Sequence, residues 1–297
     1  MEGYALAERA YQKALEYARE RVQGRDSRVP TERVSIIRHP DVRRMLMDMK
    51  SQVEAMRAVG LIAAAAMDKL QRSPNDAVRE DSRRLVDILT PIVKGWSTEL
   101  GTELASLGLQ VHGGMGFIEE TGAAQYYRDV RITPIYEGTT GIQANDIAGR
   151  KLLRDGGTLA RWTLARFRDD LAPLASLGGG AAAVHGALAA AIDDLEQSVH
   201  DLLEAGAGDP ARAMAVSVPY LMQFGFVAGG WAMGLSYAAS ARRIEEGADD
   251  PFYRDKQLTA RYYVQHVLPR AAACRARIAA GGDLVADVED GWFDRAY

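Results

Sequence analysis

The sequence predicts an all-α protein, a four-helix up-and-down bundle followed by a second helical unit. Apolar residues recur at helical spacing over long stretches, and runs with the two-residue alternation of a strand are hard to find. The stretches are separated by clusters of Gly, Pro, Ser and Asn, which stop helices and cap new ones. The nearest approach to a strand, "RVSII" from Arg33 to Ile37, is too short to found a sheet.

Tyr4 to Val22 reads as an opening amphipathic helix. From Met49 the apolar and small positions are Met49, Val53, Met56, Gly60, Ala63, Met67 and Leu70, steps of four and three that keep one stripe facing a partner. A second series runs Leu85, Ile88, Ile92, Trp96, Leu100, Leu104, Leu107, Val111. The two read as long antiparallel helices joined through "RSPND", where Ser73 and Pro74 stop one and Asn75 caps the next. Pro91 either kinks the second series or opens a new helix with Thr90 as N-cap. Gly113, Gly114 and Gly116 end it; a short helix then holds Tyr126 to Val130, Thr133 to Tyr136 is extended, and Gly138 to Leu153 is helical with Glu137 at its start. "RDGG" at 154–157 stops that helix, so the expected units are 1–155 and 156–297. In the second, helices are expected at about Leu159 to Leu174, Ala181 to Ala205, Pro210 to Glu246 and Asp250 to Ala280, with an irregular tail from Gly281.

Composition narrows the function. With 297 residues, 47% apolar, 26% charged and a net charge of −4, the chain has the values of an ordinary soluble protein, and its acidic balance argues against nucleic acid as main partner. The single cysteine, Cys274, allows no internal disulfide and suggests a reducing, cytoplasmic location. No apolar run approaches the roughly 20 residues of a membrane span, and "MEGYALAERA" lacks the pattern of a signal peptide. The histidines, His39, His112, His185, His200 and His266, show no metal-ligand spacing and read as surface or helix-end residues; no metal is expected. Neither a G-x-S-x-G elbow nor a P-loop occurs. The arginine-dense run from Arg19 to Arg44 is offset by Glu20, Asp26, Glu32 and Asp41 and reads as a solvated face.

One stretch asks for chemistry. In "PIYEGTTGIQ", Pro134 to Gln143, an acid stands between an aromatic and a glycine. Alone, Glu137 is a charge at a helix N-terminus, worth about 0.3–1 kcal/mol. As a base it would profit from apolar neighbours, which raise proton affinity, and from a glycine that brings backbone N–H groups close to a substrate. The glycines of "LGLQVHGGMGF", Leu107 to Phe117, likewise expose backbone donors, though by themselves they are a helix stop.

Taken together, "ERVQG" (20–24), "QVHGGMGF" (110–117), "YRDVRI" (127–132) and "YEGTTGIQ" (136–143) resemble the C-terminal helical domain of the acyl-CoA dehydrogenases, over about residues 3 to 153. The alanine-rich remainder resembles the extra helical domain of the branch containing methylmercaptopropionyl-CoA dehydrogenase-like enzymes. The resemblance implies FAD-dependent oxidation of an acyl-CoA to a trans-2-enoyl-CoA, with Glu137 removing the α-proton while the β-hydride passes to the flavin. It implies that Tyr136 and Gly138 line the thioester pocket, and that Thr139 and Thr140 approach the flavin. Arg21, Gln110, Gly113 and Gly114 would meet the diphosphate and adenine side of FAD in a neighbouring subunit, with His39 and His112 as possible neighbours. An electron-transfer flavoprotein or similar acceptor and a homodimer or tetramer are implied partners. Two departures stand against this. Gly24 occupies the place of the family's "RxxFG" phenylalanine, and a polar insertion, "RDSRVPTERVS", precedes His39. The family's N-terminal helical and middle β-domains are expected to be missing, which leaves a non-catalytic helical subunit that assembles with a separate chain as the alternative.

Overall fold

The computed structural model describes residues 2–26, 28–178 and 180–295. In chain order the elements are helix α1 (Glu2–Glu20), strands β1 (Val22–Asp26) and β2 (Val29–Ser35), and helices α2 (Pro40–Arg72), α3 (Asp76–Pro91), α4 (Ser97–His112), α5 (Gly114–Phe117) and α6 (Ala123–Val130). They continue as α7 (Thr140–Asn145), α8 (Thr158–Leu171), α9 (Ala181–Gly208), α10 (Pro210–Ala215), α11 (Ser217–Glu245), α12 (Pro251–Tyr262), α13 (Pro269–Ala279) and α14 (Asp283–Ala286).

The bundle forms because each helix has one side to bury. Helix α1 presents Gly3, Ala7, Ala10, Ala14 and Ala18, all buried, to α4. Small side chains let the backbones approach: a β-carbon on Gly101 would stand 2.6 Å from the Gly3 carbonyl oxygen. The second apolar series is buried from Leu85 to Leu104, as its spacing predicts. The first is buried from Met49 to Gly60 and then surfaces, with Met67 exposed, beside the Glu137 loop. Asn75 caps α3, its side chain accepting from the Ala77 and Val78 N–H groups, and the Ser73 N–H closes α2 on the Lys69 carbonyl.

Pro91 does not start a new helix. The helix runs on through a π segment, Ile92–Trp96, in which the Ser97 N–H reaches back to the Ile92 carbonyl. Thr90 is not a cap; its hydroxyl donates to the Val86 carbonyl. Proline has no N–H, so the Asp87 carbonyl lacks its helical donor. The buried Lys151 ammonium supplies one, while pairing with Asp146 at 2.7 Å. Lys151 lies in a second π segment, Asp146–Leu153, so the expected helix from Gly138 to Leu153 begins at Thr140 and widens after Asn145.

The clearest departure from expectation is a β-hairpin. Strands β1 and β2 pair antiparallel with two shifts in register. Such irregular pairing leaves no period-two pattern to read. The Asp26 carboxylate accepts from the Arg28 backbone N–H at 2.9 Å, the Arg28 guanidinium at 3.1 Å and Arg38 Nε at 3.3 Å, which holds it well below the usual carboxylate range. The polar insertion is therefore this hairpin, apart from Ser27, which lies outside the described residues.

Helices α8 to α13 pack onto the first bundle chiefly through α11, which touches α2, α7 and the π segment 92–96, with α12 on α2 and α8 on α3 beside it. Helix α11 is apolar on all sides because it is enclosed on nearly all sides. No helix among the described residues is long and apolar enough to cross a membrane. The helix expected from Pro210 to Glu246 is broken at Val216, and that from Asp250 to Ala280 is interrupted by a π segment, Tyr263–Val267, before Pro269. Among its described residues the tail holds the single turn α14 and a 3₁₀ turn at Asp290–Trp292.

Candidate active site

The chain between α6 and α7 is a succession of tight turns, where the sequence predicts an extended segment. The Tyr136 N–H donates to the Ile132 carbonyl at 3.1 Å and the Thr140 N–H to the Pro134 carbonyl at 3.0 Å. Between these two bonds the backbone turns left-handed, with φ of 51° at Glu137 and 91° at Gly138. Glu137 is the only non-glycine residue with positive φ among those described. That conformation costs roughly 1–2 kcal/mol for a residue with a β-carbon. The N–H groups of Glu137, Gly138 and Thr139 donate to no protein acceptor among the described residues.

Glu137 does not start the helix. Thr139 caps α7, its Oγ1 accepting from the Ile142 N–H at 3.2 Å, and the acid stands before the cap. Glu137 is exposed and lines a groove of about 730 Å³ together with Ala63, Met67, Val93, Lys94 and Tyr136. The setting is thus partly apolar and open, where the sequence argument looks for an apolar one.

Two polar contacts hold the turn from below. Lys94 Nζ donates to the Thr133 carbonyl at 2.6 Å and lies 5.8 Å from the centre of the Tyr136 ring. Burial pulls the Lys94 ammonium below the usual lysine range, with the negative charges of Glu137 and Glu99 opposing. Thr140 Oγ1 donates to Glu99 Oε1 at 2.5 Å. Sequence reading does not single out Lys94, Glu99 or Thr133, because these contacts join residues 39 and 41 positions apart, beyond any local pattern.

The structure thus gathers Tyr136, Glu137, Gly138, Thr139 and Thr140 in one place. Arg21, Gln110, Gly113 and Gly114 lie at the other end of α4. The eleven helical steps from Glu99 to Gln110 span about 16 Å. A groove of about 830 Å³ runs along α4 between Glu99 and Gln110, bounded by these residues with Thr102 and Ser106 and by Val218 and Met222 on α11. Gly113, with φ of 59°, and Gly114 have nothing within 4 Å of a built β-carbon. The guanidinium of Arg21 and the amide of Gln110 have no hydrogen-bond or ionic partner among the described residues. Beside them the buried His112 stacks on Tyr17 at 4.5 Å and donates from Nδ1 to the Gly108 carbonyl at 2.7 Å. Helix α1 runs on from Tyr17 to Arg21, so this stack fixes the arginine at the glycine end of α4. His39 instead closes the hairpin, its Nε2 donating to the Gln23 carbonyl at 2.6 Å, with Gly24 against its ring.

Residues 1–152 match the family model described as "Acyl-CoA dehydrogenase, C-terminal domain". The chain belongs to the acyl-CoA dehydrogenase family. A second model, "Acetyl-CoA dehydrogenase C-terminal like", matches residues 163–289. Within the family the chain is 46% identical over 288 residues to a 3-methylmercaptopropionyl-CoA dehydrogenase of Ruegeria pomeroyi, covering 95% of this chain and 48% of that one. It is 33% identical over 292 residues to a broad-specificity linear acyl-CoA dehydrogenase of Mycobacterium tuberculosis, covering 89% and 46%. The chain spans about half the length of these relatives. The fold is shared with a Bacillus anthracis acyl-CoA dehydrogenase solved with FAD, at a TM-score of 0.68 and 18% identity over 97% of this chain and 48% of that one.

Proposed function

We propose that the protein takes part in FAD-dependent α,β-dehydrogenation of an acyl-CoA thioester, with Glu137 as the base. The single observation that carries this reading is the Glu137 turn, in which a carboxylate and free backbone N–H groups share one left-handed bend. A thioester α-proton is weakly acidic, so its removal needs both a base and donors for the oxygen on which charge develops. The Glu137 carboxylate takes the α-proton, and the N–H of the same residue stabilises the enolate oxygen. Tyr136 and Gly138 border the thioester, glycine because of its φ of 91° and the Gln143 side chain beside it.

The donors at the glycine end of α4 fit a dinucleotide cofactor. An unpaired guanidinium, a free carboxamide and an open glycine edge are acceptor-seeking groups, suited to a diphosphate through charge-assisted bonds. Arg21, Gln110, Gly113 and Gly114 would hold that end, with Thr139 and Thr140 toward the ring end. FAD, when bound, supplies the acceptor for the β-hydrogen. An electron-transfer flavoprotein or a similar acceptor would take the electrons onward. Met115, Phe117 and Ile118, exposed beside the glycines and in Phe117 by 87%, support a homo-oligomer covering this face. Residues 1–155 would form the bundle that carries the site and 156–297 the layer that braces it, a division supported by the two left-handed glycines, Gly156 and Gly157.

The test is anaerobic bleaching of the FAD-loaded protein. The 46% identity over most of the chain makes 3-methylmercaptopropionyl-CoA the first substrate to try. The wild-type protein should bleach and yield the enoyl-CoA, and Glu137→Gln should slow flavin reduction at least roughly 10²–10⁴-fold. A Glu137→Gln rate above about a tenth of wild type overturns the assignment.

A further inference from the structure

Residues five apart on an α-helix point about 140° away from one another. Lys94 and Glu99 are five apart, yet both reach the loop that carries Glu137, because the turn between them is widened into the π segment Ile92–Trp96. Lys94 takes hold of the loop at Thr133, where it leaves α6, and Glu99 at Thr140, where it enters α7. The left-handed bend at Glu137 lies between these anchors.

We propose that Lys94 and Glu99 are positioning residues, a two-point clamp that holds the Glu137 turn in its left-handed conformation. The inference rests on the reading of Glu137 as the base for its functional meaning. Neither anchor touches the reacting atoms. The ammonium has no carboxylate within salt-bridge distance among the described residues, so its bond to the Thr133 carbonyl is its principal fixed contact. The Glu99 carboxylate serves the Thr140 hydroxyl in the same way. A strained residue persists only where its surroundings over-determine it, and these two bonds close both ends of the strained segment. Lys94 also stands over the Tyr136 ring, so the same cation fixes the residue before the base.

The clamp is tested by amide hydrogen exchange on the 297-residue chain, without flavin or acyl-CoA. Lys94→Met should speed exchange of the Tyr136 amide about tenfold or more, and Glu99→Ala that of the Thr140 amide, with α9 and α11 unchanged. Lys94→Arg should restore slow exchange. Unchanged exchange at both amides, failure of Lys94→Arg to restore it, or acceleration spread equally over α9 and α11 would overturn the clamp. Because none of these measurements needs turnover, the clamp can hold while Glu137 fails as a base, and the reverse.

Discussion

A β-carbon placed on Gly225 would stand 2.1 Å from Cγ of Trp96, so α11 rests directly on the indole at the centre of the first bundle. Trp96 is fully buried and cannot retreat. Gly225→Ala should therefore destabilise the protein by about 1–3 kcal/mol, the usual cost of overpacking. Gly186, in the second turn of α9, has nothing within 4 Å of a built β-carbon. Gly186→Ala should stabilise by about 0.5–1 kcal/mol through helix propensity alone. Denaturant midpoints check both, and shifts of the same sign would contradict the packing account.

Strain and chemistry can be separated at Glu137. Glycine adopts a φ of 51° freely and alanine only at a cost. Glu137→Gly should be more stable than Glu137→Ala by about 1 kcal/mol, though neither should turn over. Equal thermal midpoints would show that the bend stores no strain.

His112 should make stability pH-dependent. Burial holds its imidazole below the usual histidine range, the Gly108 carbonyl opposes this, and the Lys13 charge adds to it. The unfolded chain, with the ordinary value of about 6.5, then binds more protons than the folded one in the window below that value. Stability should be fully present above pH 6.5 and fall as pH drops toward the folded pKa, by at most about 1.4 kcal/mol per unit. His112→Phe, which keeps a ring beside Tyr17, should flatten the denaturation midpoint between about pH 6.5 and 5.5 relative to wild type. Parallel profiles would exclude His112 as the source.

Arg21 should matter for the cofactor and not for folding. Its side chain is exposed and unpaired. Arg21→Ala should leave the denaturation midpoint within about 0.5 kcal/mol of wild type. It should weaken FAD binding about tenfold or more, the scale of one lost charge-assisted bond. Titration calorimetry with FAD decides, and undiminished affinity would remove Arg21 from the site.

The second helical seam, the first as far as Gly60, the Asn75 cap and the glycine stop at Gly113 were legible in the sequence, because each depends on contacts within a few positions or on a contiguous motif. The hairpin was not, since its register shifts erase alternation and its charged residues imitate a solvated helix face. Lys94 and Glu99 were hidden for another reason: periodicity says which residues face inward, not which distant carbonyl or hydroxyl an off-seam polar group will meet.

The π segment after Pro91 also corrects the phase of the helix. From Ile88 the seam advances through Ile92, Trp96, Leu100 and Leu104 in four successive steps of four. On an ideal α-helix each such step overshoots a full turn by about 40°, and the stripe would wander off its face. The wide turn takes up one residue of that excess, so Leu85 and Val111 can serve the same core although 26 positions separate them. Deleting a single residue between Ile92 and Trp96 would restore regular winding locally and rotate Gln110, Gly113 and Gly114 by about 100° relative to the Glu137 turn. The spare residue is thus a vernier, setting the angular alignment between the two ends of the candidate site.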